Sequence, residues 1–124
     1  MTPEELKALA EKIWRWCGFE PREIKFPGRA MGQQMWKYPN FANIHDFLPP
    51  LDLNNMEKFV LPKLLEIDDK YGYFELEFIS PHDNYPHWEC ILYEYLPGGV
   101  GSTMSLAWAK AIENLIDQEV AHEI

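Results

Sequence analysis

A chain of 124 residues that is 47% apolar, with five Trp, six Tyr and seven Phe, can bury one core but not two, so a single domain over residues 1–124 is expected. Twenty Asp and Glu against eleven Lys and Arg leave a net charge of −9, which argues against direct binding to a nucleic-acid backbone or an anionic membrane and favours a basic protein or a small ligand. The acidic start at Glu4 and Glu5 is unlike a secretory signal, and no apolar run approaches the roughly 20 residues of a membrane span. Cys17 and Cys90 lack metal or redox spacing and read as small buried groups, so the expected location is a reducing cytoplasm.

Thr2, Pro3 and Glu5 form a capping box with Pro at the first helical position, and Leu6, Leu9, Ala10 and Ile13 follow at helical spacing. This first helix runs to Gly18, which suits a positive φ past a helix end, and Pro21 prevents continuation. Ile24 and Phe26 suggest a short strand. Gln33–Tyr38 is a better one, with Trp36 and Tyr38 on one face and Met35 and Lys37 on the other, and its polar side predicts a sheet edge. Phe41–Pro50 reads as an ordered loop anchored by Phe41, Ile44, Phe47 and Leu48.

Asp52 caps a second helix with an apolar stripe through Leu53, Met56, Phe59, Leu64 and Ile67, and Pro62 inside it predicts a kink or a break. Tyr73–Ile79 alternates as a strand with Phe74, Leu76 and Phe78 on the buried side. After a turn at Pro81, Asn84 and Pro86, the strand Trp88–Tyr95 is apolar on both faces, as for a central strand covered on both sides. Pro97, Gly98, Gly99 and Gly101 form a loop, Ser102 or Thr103 caps, and Ser105–Glu119 is a helix with a stripe through Leu106, Ala109, Ile112, Leu115 and Val120. The expected fold is α+β, in the order α-β-α-β-β-α, with a small antiparallel sheet of about three to four strands sandwiched by helices.

Two stretches carry a resemblance: Leu48-Pro49-Pro50-Leu51-Asp52-Leu53-Asn54, which opens a helix ending Val60-Leu61-Pro62-Lys63-Leu64, and Ser105-Leu106-Ala107-Trp108-Ala109-Lys110-Ala111-Ile112-Glu113. Over about Trp36 to Glu119 the chain resembles small phage and prophage proteins with the phage ABA sandwich domain. In that family a Leu-Pro loop starts the middle helix, an aromatic hairpin follows, and an Ala-rich helix closes the chain. The resemblance implies a sheet between helix layers and a phage-encoded accessory protein acting inside a bacterium. The chain departs from the pattern at Phe19–Gly32 and at the His82–His87 turn, so neither inherits a role.

Four constellations bear on chemistry. The turn Pro81-His82-Asp83-Asn84-Tyr85-Pro86-His87 collects possible metal donors in His82, Asp83 and His87, but it lacks fixed helical spacing and a third ligand, and a polar turn explains it as well. Glu75 and Glu77 with Glu89 and Glu94 form paired acids on neighbouring strands; without a pocket they read as a hydrated face. Gly98, Gly99, Gly101, Ser102 and Thr103 precede a helix and suggest a phosphate cradle, yet no Walker-type Lys follows and a tight strand-to-helix connection accounts for them. Arg29, Trp36 and Tyr38 are residue types found at binding hot spots, the competing account being that the aromatics fill the core.

No nucleophile elbow, metal box or phosphate loop is present, so the expected function is non-enzymatic, without cofactor or metal. With what the resemblance implies, the expected protein is a phage or prophage accessory protein that binds a host or phage protein, with inhibition of a bacterial defence system as its most specific form. The alternatives are a small-molecule or nucleotide-binding protein and, last, a metal-dependent enzyme. The Gln33–Tyr38 edge admits a homodimer.

Overall fold

The computed structural model describes residues 1–28, 30–39, 44–67, 75–79, 86–92 and 98–123. These residues form an α+β fold in two compact units, Met1–Pro50 and Leu51–Ile124.

The first unit holds helix α1 (Pro3–Trp16) and a sheet of β1 (Glu20–Ile24), β2 (Gln33–Lys37) and β3 (Ile44–His45), antiparallel in that order. α1 starts where the capping box places it: the Thr2 Oγ1 accepts from the Glu5 amide at 3.1 Å. It ends at Gly18, whose φ of +103° is the left-handed conformation that glycine takes without penalty. The strand at Gln33 forms as expected but lies at the sheet centre rather than its edge. The segment read as a loop supplies β3, which pairs Trp36 with His45.

Alternation on β2 buries Trp36 and, just past the strand, Tyr38, while Lys37 stays in solvent. An aromatic chain runs from the core of this unit, beside Leu9 and Ile13, out to the surface. Trp14 meets Phe19 at 5.4 Å between centroids, Phe19 meets Tyr38 at 4.7 Å, Tyr38 meets His45 at 4.5 Å, and His45 meets Phe47 at 5.7 Å. Of the expected loop anchors, Phe47 is 59% exposed and Ile44 is exposed as well, because the loop is fixed by its backbone: the Tyr38 hydroxyl donates to the Phe47 carbonyl at 3.0 Å. Phe41 lies outside the described residues.

The second unit contains α2 (Leu53–Ile67), α3 (Met104–Glu123) and a sheet ordered β4 (Glu75–Ile79), β5 (His87–Ile91), β6 (Gly99–Gly101), all antiparallel. α2 is one helix that passes through Pro62; the Asp52 carboxylate caps it, accepting from the Asn55 amide at 2.8 Å. Its buried side is Met56, Phe59, Val60 and Leu64. β6 lies within the segment read as the glycine loop.

α3 packs on all three strands and touches α2, so it is buried on more than one side: Ala107, Trp108, Ala109, Ala111, Ile112, Leu115 and Ile116 are all in the core. Small residues are what allow this. A Cβ on Gly99 would sit 2.8 Å from the Lys110 carbonyl carbon and closer still to the Ala107 oxygen and Ala111 nitrogen, and one on Gly101 would sit 2.7 Å from Leu106. The backbone of α3 therefore lies directly on the backbone of β6, Gly against Ala.

Candidate functional site: the open face of the second sheet

The register of the second sheet sorts its side chains. Leu76 opposes Cys90 and Cys90 opposes Gly99, while Phe78 opposes Trp88 and Trp88 opposes Gly101, so these six lie on the side that α3 covers. The other side carries Glu75, Glu77 and Ile79 of β4, His87, Glu89 and Ile91 of β5, and Val100 of β6. β5 is the centre strand, as its apolar composition predicts, but among the described residues a helix covers only its Cys90 face. Ile91 is 45% and Val100 56% exposed.

On this open side Glu77 stands directly opposite Glu89. Like charges at a cross-strand pair oppose folding, and Glu75 adds a third carboxylate beside them. His87 Nε2 lies 3.2 Å from the Glu89 carboxylate, a contact that offsets its charge only when the imidazole is protonated. Neither Glu75 nor Glu77 has a basic partner among the described residues. Charge follows the division of the chain: residues 1–50 hold seven Lys and Arg against six Asp and Glu, and residues 51–124 hold four against fourteen. The acidity is concentrated in the second unit.

The expected site residues fall in different places. Trp36 and Tyr38 are core groups of the first unit. The guanidinium of Arg15 lies 5.4 Å from the Trp36 ring centroid, and burial, followed by the nearby Asp46 charge, raises the Tyr38 hydroxyl above its ordinary pKa. Their rings are therefore not a partner surface. Arg29, His82 and Asp83 lie outside the described residues. His87 opens β5 and pairs with Glu89. Among the described residues no group of three or more His, Cys, Asp or Glu is arranged to hold a metal ion.

Gly99 and Gly101 face α3 at backbone contact and stand opposite Cys90 and Trp88 in the sheet, so a tight strand-to-helix connection accounts for them and a helix occupies the faces a phosphate would need. The Gly98 carbonyl accepts from the Asn114 side-chain amide at 2.9 Å. Thr103 caps α3, its Oγ1 accepting from the Leu106 amide at 3.2 Å, and Ser102 precedes it in solvent. These residues do border a shallow cleft of about 610 Å³ lined by Asp52, Leu53, Asn54, Trp88 and Ser102–Ser105. At both helix starts there the side chain of the cap already takes a backbone donor, and the Asp52 carboxylate opposes a second anion.

The opposition of Glu77 to Glu89 is what sequence reasoning missed. The acids were visible, but their register depends on a turn whose length the sequence does not reveal. No helix among the described residues is long and apolar enough to cross a membrane. Comparison with known proteins found no matching family model, no matching curated protein and no matching solved structure.

Proposed function

We propose that this protein works by binding a partner protein with a basic surface, and that the open face of the β4-β5-β6 sheet is where it binds. The single observation behind this reading is the Glu77–Glu89 opposition, flanked by Glu75 and by exposed Ile91 and Val100. Carboxylates gathered around apolar groups weaken the free fold, and Lys or Arg from a partner would relieve the repulsion while the aliphatic side chains lose water. A phage or prophage accessory protein that occupies a nucleic-acid-handling or defence enzyme fits this chemistry, because such enzymes present basic surfaces. The phage setting rests on the sequence resemblance.

The test is capture from bacterial lysate with tagged protein, native and with Glu75, Glu77 and Glu89 all changed to Lys. A basic protein retained by the native form and lost by the reversed one supports the proposal; a partner retained equally by both removes this face from the function. A nucleotide or metabolite ligand, the alternative, has the cleft beside Trp88 as its place, and a ligand-induced rise in melting temperature would argue for it.

A further inference from the structure

Among the described residues β4 is an outer strand of its sheet: β5 pairs with one of its edges and no strand pairs with the other. Edge strands that avoid pairing are very short or carry charges, Pro or a bulge; β4, Glu-Leu-Glu-Phe-Ile, has no Pro and an unbroken five-residue register with β5, and its charges, Glu75 and Glu77, are of one sign and on one face, so they repel acidic strands and not basic ones. Its two faces differ in chemistry. Glu75 and Glu77 point to the open side, and Leu76 and Phe78 to the α3 side, where Phe78 is nevertheless 52% exposed beside Trp88 at a centroid distance of 5.2 Å.

We infer that the outer edge of β4 accepts an extended segment of a partner protein as a fourth strand, one in which Lys or Arg alternates with apolar residues. The inference rests on the proposed partner-binding reading and specifies its mode. Period-two alternation puts every basic side chain of the incoming strand beside Glu75 and Glu77, and every apolar one beside Leu76 and Phe78, covering the exposed part of that ring. Main-chain hydrogen bonds supply attraction without regard to sequence, and the two faces supply selectivity. A second copy of this chain is the wrong occupant. Pairing β4 with itself about a two-fold axis normal to the sheet places the second Glu75 and Glu77 beside the first, and adds like charge to like.

The probe is a capped Lys-Val-Lys-Val-Lys peptide, titrated into the full chain and followed by backbone amide NMR. Three controls accompany it: a Lys-Lys-Lys-Val-Val peptide, and two versions of the alternating peptide N-methylated on its odd or its even residues. Binding should protect amides of β4 from exchange. One methylated form, whose methyl groups face β4, should lose affinity about tenfold or more, as the net worth of one or more backbone hydrogen bonds implies, and the other should not. E75Q/E77Q should weaken binding severalfold while leaving the folded spectrum in place. Equal affinity for both methylated forms, or for the blocked and alternating peptides, overturns the strand mode while leaving the open-face reading standing. No binding of the alternating peptide overturns the strand mode outright. Loss of the lysate partner on charge reversal is scored separately and decides the open-face reading alone.

Discussion

The indole Nε1 of Trp14 donates to the main-chain carbonyl of Pro49 at 2.8 Å, across 35 residues of sequence and in a fully buried setting. That bond ties α1 to the segment that closes the first unit. Proline cannot donate, so its carbonyl is the only main-chain group it offers, and the buried indole supplies the partner. Trp14→Phe keeps much of the ring and leaves that carbonyl without this donor. The expected cost is about 1–3 kcal/mol in denaturant unfolding; an unchanged midpoint would mean that water replaces the indole.

Gly99→Ala tests the contact between α3 and β6. The added methyl meets helix backbone, which yields only if the whole helix shifts, so the expected loss is about 3 kcal/mol, at the upper end for an overpacked core. Thermal unfolding reads it out, and a neutral result would show that α3 sits further from β6 than described.

Relief of the acidic face should stabilise the free protein. Glu77→Gln removes one side of the repulsion with Glu89 and should raise stability by about 0.2–1 kcal/mol, the range of cross-strand pair effects. Added salt should raise the stability of the native protein and do so less for the variant, because screening and substitution act on the same repulsion. The opposite order of salt effects would place the repulsion elsewhere.

Alkaline pH should destabilise the fold through two buried acids. Burial pushes the Cys90 thiol up to about 12 from 9.0, and burial followed by Asp46 raises Tyr38. From pH 9.0 upward the unfolded chain ionises at Cys90 while the folded thiol stays protonated, so stability falls across the window from 9.0 to about 12. Tyr38 adds to the same slope above its ordinary 10.0. The Cys90→Ala, Tyr38→Phe double variant is less stable at neutral pH but should show a flatter alkaline slope, measured by unfolding at several pH values.

Thiol labelling separates the two cysteines. Cys17 is half-buried at the end of α1 and should react with a small alkylating reagent in the native protein, while buried Cys90 should react only after unfolding. Mass spectrometry should find one adduct before denaturant and two after; two adducts in the folded protein would contradict the burial of β5.

Much of this architecture is legible from local rules. Thr2, Asp52 and Thr103 announce their helices because a short polar side chain must meet a main-chain donor at the first turn, a requirement confined to four residues. Pairing partners are less visible. β3 hides in a segment rich in turn residues, and only its pairing with Trp36 and Lys37 makes it a strand; β6 hides among glycines whose purpose is to meet a helix that begins a few residues later. The acids of the candidate site were evident one by one, but their meaning depends on register, which a slip of one residue would reverse. Ile91 illustrates the same limit: an apolar residue reads as buried, and whether a helix covers its face is decided by the rest of the chain.

Gly99 and Gly101 bear on how relatives of this chain should be compared. Glycine held constant in a turn before a helix is ordinarily taken as a mark of nucleotide recognition. At these two positions constancy would record only how near α3 comes to the strand beneath it, and a relative with alanine there should have its final helix displaced outward rather than its ligand changed.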